Sequence, residues 1–275
     1  MSTTSPPPPP SARPPAPIAW TPLVGALHAV HAGTPGAARL VFVHGFTQTG
    51  NSWTPVAEHF VRHGYEVLLV DLPGHGGSDH VRADLRRAAD LLAAVGERAV
   101  YVGYSLGGRV CLHLALMYPH LVERLVLLGA HPGLDSDDDR STRRDADDRV
   151  AARLREIGVA AFIREWVTQP LFGGLVARAD DLADRERNTV EGLVSSLQLA
   201  GTGTQLSLWP RLRELTMPVL TLAGADDTKF APLAAQLAAA VPDGRCELVA
   251  DAAHAAHLQR PGLVTALIDE FLASR

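Results

Sequence analysis

The segment Ala99-Val100-Tyr101-Val102-Gly103-Tyr104-Ser105-Leu106-Gly107-Gly108-Arg109 joins an apolar, β-rich run to a helical pattern through a Gly-x-Ser-x-Gly turn. A strand that reverses this sharply into a helix crowds the backbone around its central residue. Glycine has no Cβ and permits the approach. Ser105 would then project from the first turn of a helix, where free backbone N–H groups and the positive end of the helix dipole favour developing negative charge. The strand before and the helical pattern of Leu106 to Tyr118 after make this short motif a nucleophile elbow.

Reading outward, further apolar runs without alternation occur at Leu40-Val41-Phe42-Val43, Val67-Leu68-Leu69-Val70, Leu125-Val126-Leu127-Leu128 and Val219-Leu220-Thr221-Leu222. Strands of this kind suit a parallel sheet covered on both faces. Amphipathic stretches lie between them, around Thr54 to Arg62, Ala83 to Val95 and Leu233 to Ala240. A last strand at Cys246 to Ala250 and a helix from about Gly262 to Leu272 complete the set. The alternation predicts a mostly parallel, doubly wound α/β sheet, and with the elbow it predicts the α/β-hydrolase fold. Residues 133–209 break the rhythm with Arg- and Asp-rich helical patterns. They read as a helical lid inserted at the carboxyl edge of the sheet, where open α/β folds bind ligands. The core is then 18–132 and 210–275, preceded by a disordered, Pro-rich extension at 1–17.

The chain has 275 residues, 47% of them hydrophobic and 20% charged, and a formal net charge of -5. It is long enough for one α/β core and lacks a general basic field for nucleic acid or anionic membranes. The 2 cysteines, Cys111 and Cys246, are far apart and suggest neither disulfides nor a zinc site. No apolar run approaches a membrane span, and no signal-peptide core is present. The expectation is a cytoplasmic protein without metal or cofactor, acting on a small molecule.

A serine hydroxyl is hardly ionised at neutral pH and needs a base, oriented by a third group. In this fold the order along the chain is Ser, acid, His. Asp227 follows the strand Val219 to Leu222, and His254 follows the strand Cys246 to Ala250. Asp226 could exchange roles with Asp227, and His257 competes with His254. The segment His44-Gly45-Phe46 would supply one oxyanion-hole amide from Phe46, and Leu106 the other. His44 itself reads as structural.

Several segments together resemble the 2-succinyl-6-hydroxy-2,4-cyclohexadiene-1-carboxylate (SHCHC) synthases of menaquinone biosynthesis. They are DLPGHGGS at 71–78, GYSLGGR at 103–109, His131-Pro132-Gly133-Leu134, Trp166-x-x-Gln169-Pro170-Leu171-Phe172, Ser195-Ser196-Leu197 with Gly201 to Gln205, and Asp227-Thr228-Lys229-Phe230. The resemblance implies a 2,5-elimination that releases pyruvate from a polycarboxylate, with no water consumed. It also implies anion contacts from Arg109, from Arg143 or Arg144 and from Arg185, an apolar wall from Trp166 and a pocket position for Tyr104. Arginine suits this task because its planar fork matches carboxylate oxygens. Two positions depart from the family's pattern: Val167, where some members carry an aromatic residue, and Ala253, where glycine commonly precedes the histidine. A carboxylesterase or C–C bond hydrolase would use the same three residues through an acyl-enzyme.

Overall fold

A computed structural model describes residues 16–274; the expected extension at 1–17 lies, except for Ala16 and Pro17, outside them. Eight strands form one sheet: β1 (Thr21–Leu23), β2 (Ala29–Gly33), β3 (Arg39–Val43), β4 (Glu66–Val70), β5 (Ala99–Tyr104), β6 (Val122–Leu128), β7 (Val219–Gly224) and β8 (Gly244–Val249). Their order is β1-β2-β4-β3-β5-β6-β7-β8. Every pairing from β4 to β8 is parallel, while β2 pairs antiparallel with β4 and with β1.

The helices are α1 (Thr54–Arg62), α2 (Leu85–Gly96), α3 (Leu106–Met117), α4 (Asp137–Trp166), α5 (Ala179–Arg185), α6 (Val190–Ala200), α7 (Phe230–Ala240), α8 (Ala256–Gln259) and α9 (Pro261–Ala273). Because side chains alternate across a strand, each central strand feeds two cores. Val41, Val43, Tyr101, Leu125 and Leu127 pack with α2 and α3 through Leu92, Val110 and Leu114. Leu40, Phe42, Val100, Val102 and Val126 pack on the opposite face with α1 and α9 through Phe60, Val264 and Ile268. This two-sided burial is why the strands are apolar throughout.

Between β6 and β7 the described chain is helical, with α4, α5, α6 and short 3-10 turns. Ser136 caps α4 by accepting the Asp139 amide, and Asp137, Asp138 and Asp139 in its first turn complement the helix dipole. Gly158, at φ 74 and ψ 169, breaks α4. The insertion carries its own apolar cluster, including Leu154, Phe162, Ile163, Leu193 and Leu197. Trp166 and Phe46 pack against that cluster, so the insertion sits over the β3 end of the sheet.

Candidate active site

The elbow is sterically demanding. A Cβ on Gly103 would lie 2.7 Å from the Gly107 backbone, and one on Gly107 would lie 2.3 Å from the Val43 carbonyl oxygen. Ser105 is held at φ 50 between β5 and α3, a left-handed conformation that a non-glycine residue adopts at a cost. Its amide donates to the Leu128 carbonyl at 2.8 Å, tying the turn to β6.

Two loops at the carboxyl edge complete the arrangement. The His254 Nδ1–H donates to Asp227 Oδ2 at 2.9 Å, which leaves Nε2 to accept from the Ser105 hydroxyl at 3.2 Å. Asp227 Oδ1 accepts the amides of Phe230 at 2.9 Å and Lys229 at 3.2 Å. Burial pushes the Asp227 carboxyl up, but His254 and these two amides outweigh it and hold the group below its usual range. Asp226 is exposed, so the structure separates the two aspartates. Gly129, at φ 58, makes room for the imidazole, because a Cβ there would lie 2.8 Å from His254 Cε1.

His257 has another setting. It accepts from Gln48 Nε2 at 3.2 Å and lies against the rings of Trp53 and Tyr104, at 4.6 and 4.3 Å. Burial, with Arg185 and His254 nearby, keeps it neutral. His44 and His75 are likewise buried and neutral, pushed down mainly by burial to about 4 and about 3. His44 accepts the Leu72 amide at 2.9 Å and donates to the Gly45 carbonyl at 2.8 Å. It braces the loops.

A cleft partly open to solvent lies above Ser105. Ser105, His254, Tyr104, Phe46 and Leu106 line its floor side, and Trp166, Phe172 and Leu197 of the insertion line it from above. Neither the Phe46 nor the Leu106 amide donates to another group among the described residues. Arg109, Arg143, Lys229 and His131 also line the cleft.

The model of the alpha/beta hydrolase fold family matches residues 38–261. An SHCHC synthase of Salmonella heidelberg (strain SL476) is 38% identical over 251 residues, covering 88% of this chain and 97% of its own length. The chain belongs to the SHCHC synthase family. A second relative of that name, from Salmonella paratyphi C (strain RKS4594), is 37% identical over 253 residues, 88% of this chain and 97% of its own. The solved structure of MenH from S. aureus superposes with a TM-score of 0.82 at 29% identity, covering 89% of this chain and 97% of that one. A thermophilic esterase from Thermogutta terrifontis shares the fold, at TM-score 0.77 and 22% identity over 92% of this chain and 98% of its own.

The anion contacts that SHCHC synthase resemblance assigns are distributed unevenly. Arg109 lines the cleft and is 7% exposed; its guanidinium donates to the Ala200 carbonyl at 2.7 Å and to Gln205 Oε1 at 3.2 Å. Burial and the nearby Arg143 pull it down to about 9, so it stays charged at neutral pH. Arg143 also lines the cleft, with Nε donating to Asp147 at 2.9 Å. Arg144 points elsewhere: it is exposed and donates to the Gly203 carbonyl at 2.8 Å. Of that pair, the cleft takes Arg143.

The expectation for Arg185 needs a similar correction. It is 2% exposed and absent from the cleft wall, because its Nε donates to Asp181 at 2.9 Å and its Nη1 to Thr47 Oγ1 at 2.6 Å. Trp166 is half-buried over the cleft, edge-on to Phe46 at 5.2 Å and stacked on Phe162 at 5.6 Å.

Sequence reasoning assigned no role to Lys229 or His131. Lys229 follows Asp227 by two residues, and that spacing on the turn after β7 is the signal that would have placed it at the cleft. The His131 Nδ1 accepts the Gly133 amide at 3.0 Å, leaving Nε2 to carry the proton. Burial, with Lys229, Arg109 and Arg143 around it, holds this ring down to about 4. It adds a neutral donor beside the cations.

Proposed function

We propose that this protein is an SHCHC synthase that eliminates pyruvate from 2-succinyl-5-enolpyruvyl-6-hydroxy-3-cyclohexene-1-carboxylate in menaquinone biosynthesis. The observation that carries the reading is the company Ser105 keeps: Arg109, Arg143 and Lys229 line one cleft with it. Such a wall suits carboxylates on the ring, the succinyl arm and the enolpyruvyl group. It would gain nothing from a neutral ester.

In this reading Ser105, His254 and Asp227 form the catalytic triad. Asp227 fixes the tautomer in which His254 Nε2 accepts the serine proton. The activated Ser105 oxygen removes the C2 proton of the ring, acidified by the adjacent succinyl ketone. The electron pair forms C2=C3, the 3-ene shifts to C4=C5, and the C5–O bond breaks. Pyruvate leaves as its enolate and takes back a proton. Negative charge passes through the succinyl ketone oxygen, which the Phe46 and Leu106 amides would hold. No water enters the balance.

The helical insertion acts as a lid in this scheme, with Trp166 as an apolar wall over the ring. A cytoplasmic setting fits the free Cys111 and Cys246, and no described helix is long and apolar enough to cross a membrane. Hydrolysis by the same serine is the alternative, favoured by the 3.2 Å approach of Ser105 Oγ to His254 Nε2, which also suits an acyl-enzyme. Incubation with the enolpyruvyl precursor in H2(18)O separates the two. Pyruvate release well above the spontaneous rate, with no heavy oxygen in the cyclohexadiene product, is expected. Release at the spontaneous rate overturns the synthase reading.

A further inference from the structure

The loop carrying Phe46 closes a turn of its own, in which the Gln48 amide donates to the Gly45 carbonyl at 3.2 Å and the Gly45 amide to Gln48 Oε1 at 3.1 Å, but the residue inside that turn is held from outside. Thr47, the next residue, is buried and sits at φ 70, a conformation that a β-branched residue keeps only when its surroundings impose it. Each of its polar groups is engaged from outside the loop. The Thr47 amide donates to His75 Nε2 at 3.3 Å, its hydroxyl accepts from Arg185 at 2.6 Å, and its carbonyl accepts from Asn188 Nδ2 at 2.8 Å.

Asn188 closes this network. It is 5% exposed and lies between α5 and α6, in the insertion. Its Nδ2 also donates to the Arg185 carbonyl at 2.8 Å, and its Oδ1 accepts the Gly76 amide at 2.9 Å. One side-chain amide thus bridges the Phe46 loop, the DLPGHGGS loop and the insertion. The bridge forms a ring, running from the Thr47 carbonyl through Asn188 to Gly76, along the chain to His75 and back to the Thr47 amide. His75 can serve as acceptor because it is neutral with the proton on Nδ1, which donates to the Pro73 carbonyl at 3.0 Å.

We propose that Asn188 is a positioning residue that holds Thr47 in its left-handed conformation and so aims the adjacent Phe46 amide at the oxyanion formed above Ser105. Arg185 acts beside it, through Thr47 Oγ1, rather than on substrate. The proposal rests on the oxyanion role given above to Phe46 but not on the identity of the reaction, since elimination and ester hydrolysis both need that amide.

Asn188→Asp is the sharpest variant: it keeps the shape and the acceptor for Gly76 but replaces the donor to the Thr47 carbonyl. Removing an oxyanion donor outright costs about 100- to 1000-fold in kcat, and misaiming one is expected to cost roughly 10- to 100-fold. KM should change little, because ground-state contacts with Arg109 and Arg143 are untouched. A second measurement does not depend on the substrate. Calorimetric titration with 3-carboxyphenylboronic acid, whose boron forms a tetrahedral adduct with an activated serine, should show weakened binding in Asn188→Asp and in Asn188→Ala. The loss should match the loss of kcat in size. Thermal melts of each variant give the folded fraction to which rates are normalised.

A normalised kcat and boronate affinity equal to wild type in Asn188→Asp would overturn the proposal and leave Asn188 a structural tie. A wild-type protein that does not bind the boronate would remove the oxyanion site and the proposal with it. Parallel losses of kcat and boronate affinity support it. Failure of pyruvate release alone, with the boronate difference intact, would count against the synthase reading and not against Asn188.

Discussion

Replacing Arg109 tests whether the cleft is built for carboxylates. Its guanidinium does two jobs that a single substitution removes together. Toward the protein it donates to the Ala200 carbonyl at 2.7 Å and to Gln205 at 3.2 Å; toward the cleft it offers charge. In Arg109→Ala the Ala200 carbonyl loses a buried charged donor, a loss of about 1 to 3 kcal/mol in stability. A charge-assisted hydrogen bond to a substrate carboxylate contributes about 1.5 to 3 kcal/mol, so kcat/KM is expected to fall roughly 10- to 150-fold. Arg109→Lys separates the two effects. It retains a cation but not the planar fork, and one ammonium on a shorter reach cannot serve Ala200, Gln205 and a carboxylate together. An intermediate loss is expected. Initial rates of pyruvate release across substrate concentrations, with urea unfolding of each variant in parallel, make the measurement. A variant less stable by this amount but unchanged in kcat/KM would refute the reasoning, and Arg109 would then be only a strut between α3 and the end of α6.

On the proposed mechanism Ser105, His254 and Asp227 act as a unit, so Ser105→Ala and His254→Ala should each lower kcat by orders of magnitude while the double variant is little worse than either; additive losses in the same assay would contradict the coupling. Asp227→Asn should lower kcat roughly 1000- to 10,000-fold by stabilising the wrong His254 tautomer, whereas Asp226→Asn should leave it near wild type, and the reverse ranking would reassign the acid. His44 and His75 are held at about 4 and about 3 in the folded protein. The unfolded chain therefore binds more protons below its histidine pKa near 6.5. Stability should then fall as pH drops from about 6.5 toward 4, by roughly 1.4 kcal/mol per pH unit for each ring. Urea unfolding at pH 7, 6 and 5 checks this, and a flat profile would show that the rings are not buried neutral.

The parts of this molecule that were legible in sequence are those in which local chemistry and tertiary context agree. Val100 to Val102 had to be a buried strand because both of its neighbours in the sheet are equally apolar. Gly103 and Gly107 announced a turn that leaves no room for a Cβ. Asp227 and His254 stand after strands, and it is the structure that sets them apart from Asp226 and His257. The strands β1 and β2 carry no legible strand pattern, because Thr21-Pro22-Leu23 and Ala29-Val30-His31-Ala32-Gly33 contain proline, histidine and glycine. Their pairing on the antiparallel edge is supplied by β4 rather than by their own residues. Arg144 and Arg185 resemble Arg143 in type and region. What separates them is which carbonyl or carboxylate lies nearby, and no local pattern encodes that. Asn188 is silent for the same reason, since two of its three partners, Thr47 and Gly76, lie on loops far from it in the chain.

The origin of each group in the cleft also divides the labour between core and insertion. Ser105, Asp227 and His254 sit on turns that follow β5, β7 and β8, so the rigid sheet sets their spacing. Arg143 and Trp166 come from α4, and Arg109, although on α3, is braced by the Ala200 carbonyl and Gln205 of the insertion. Substituting the insertion's apolar cluster at Leu193 or Phe162 should therefore move Arg143, the brace of Arg109 and the aromatic wall relative to the serine without disturbing the Ser–His–Asp hydrogen bonds. The strained Thr47 is the exception, because the insertion reaches through Arg185 and Asn188 to a residue of the core and joins binding of the substrate's carboxylates to the geometry of the oxyanion loop. Loosening of the insertion is then expected to act on both KM and kcat. A hydrolase that relied on its core alone would register it in KM.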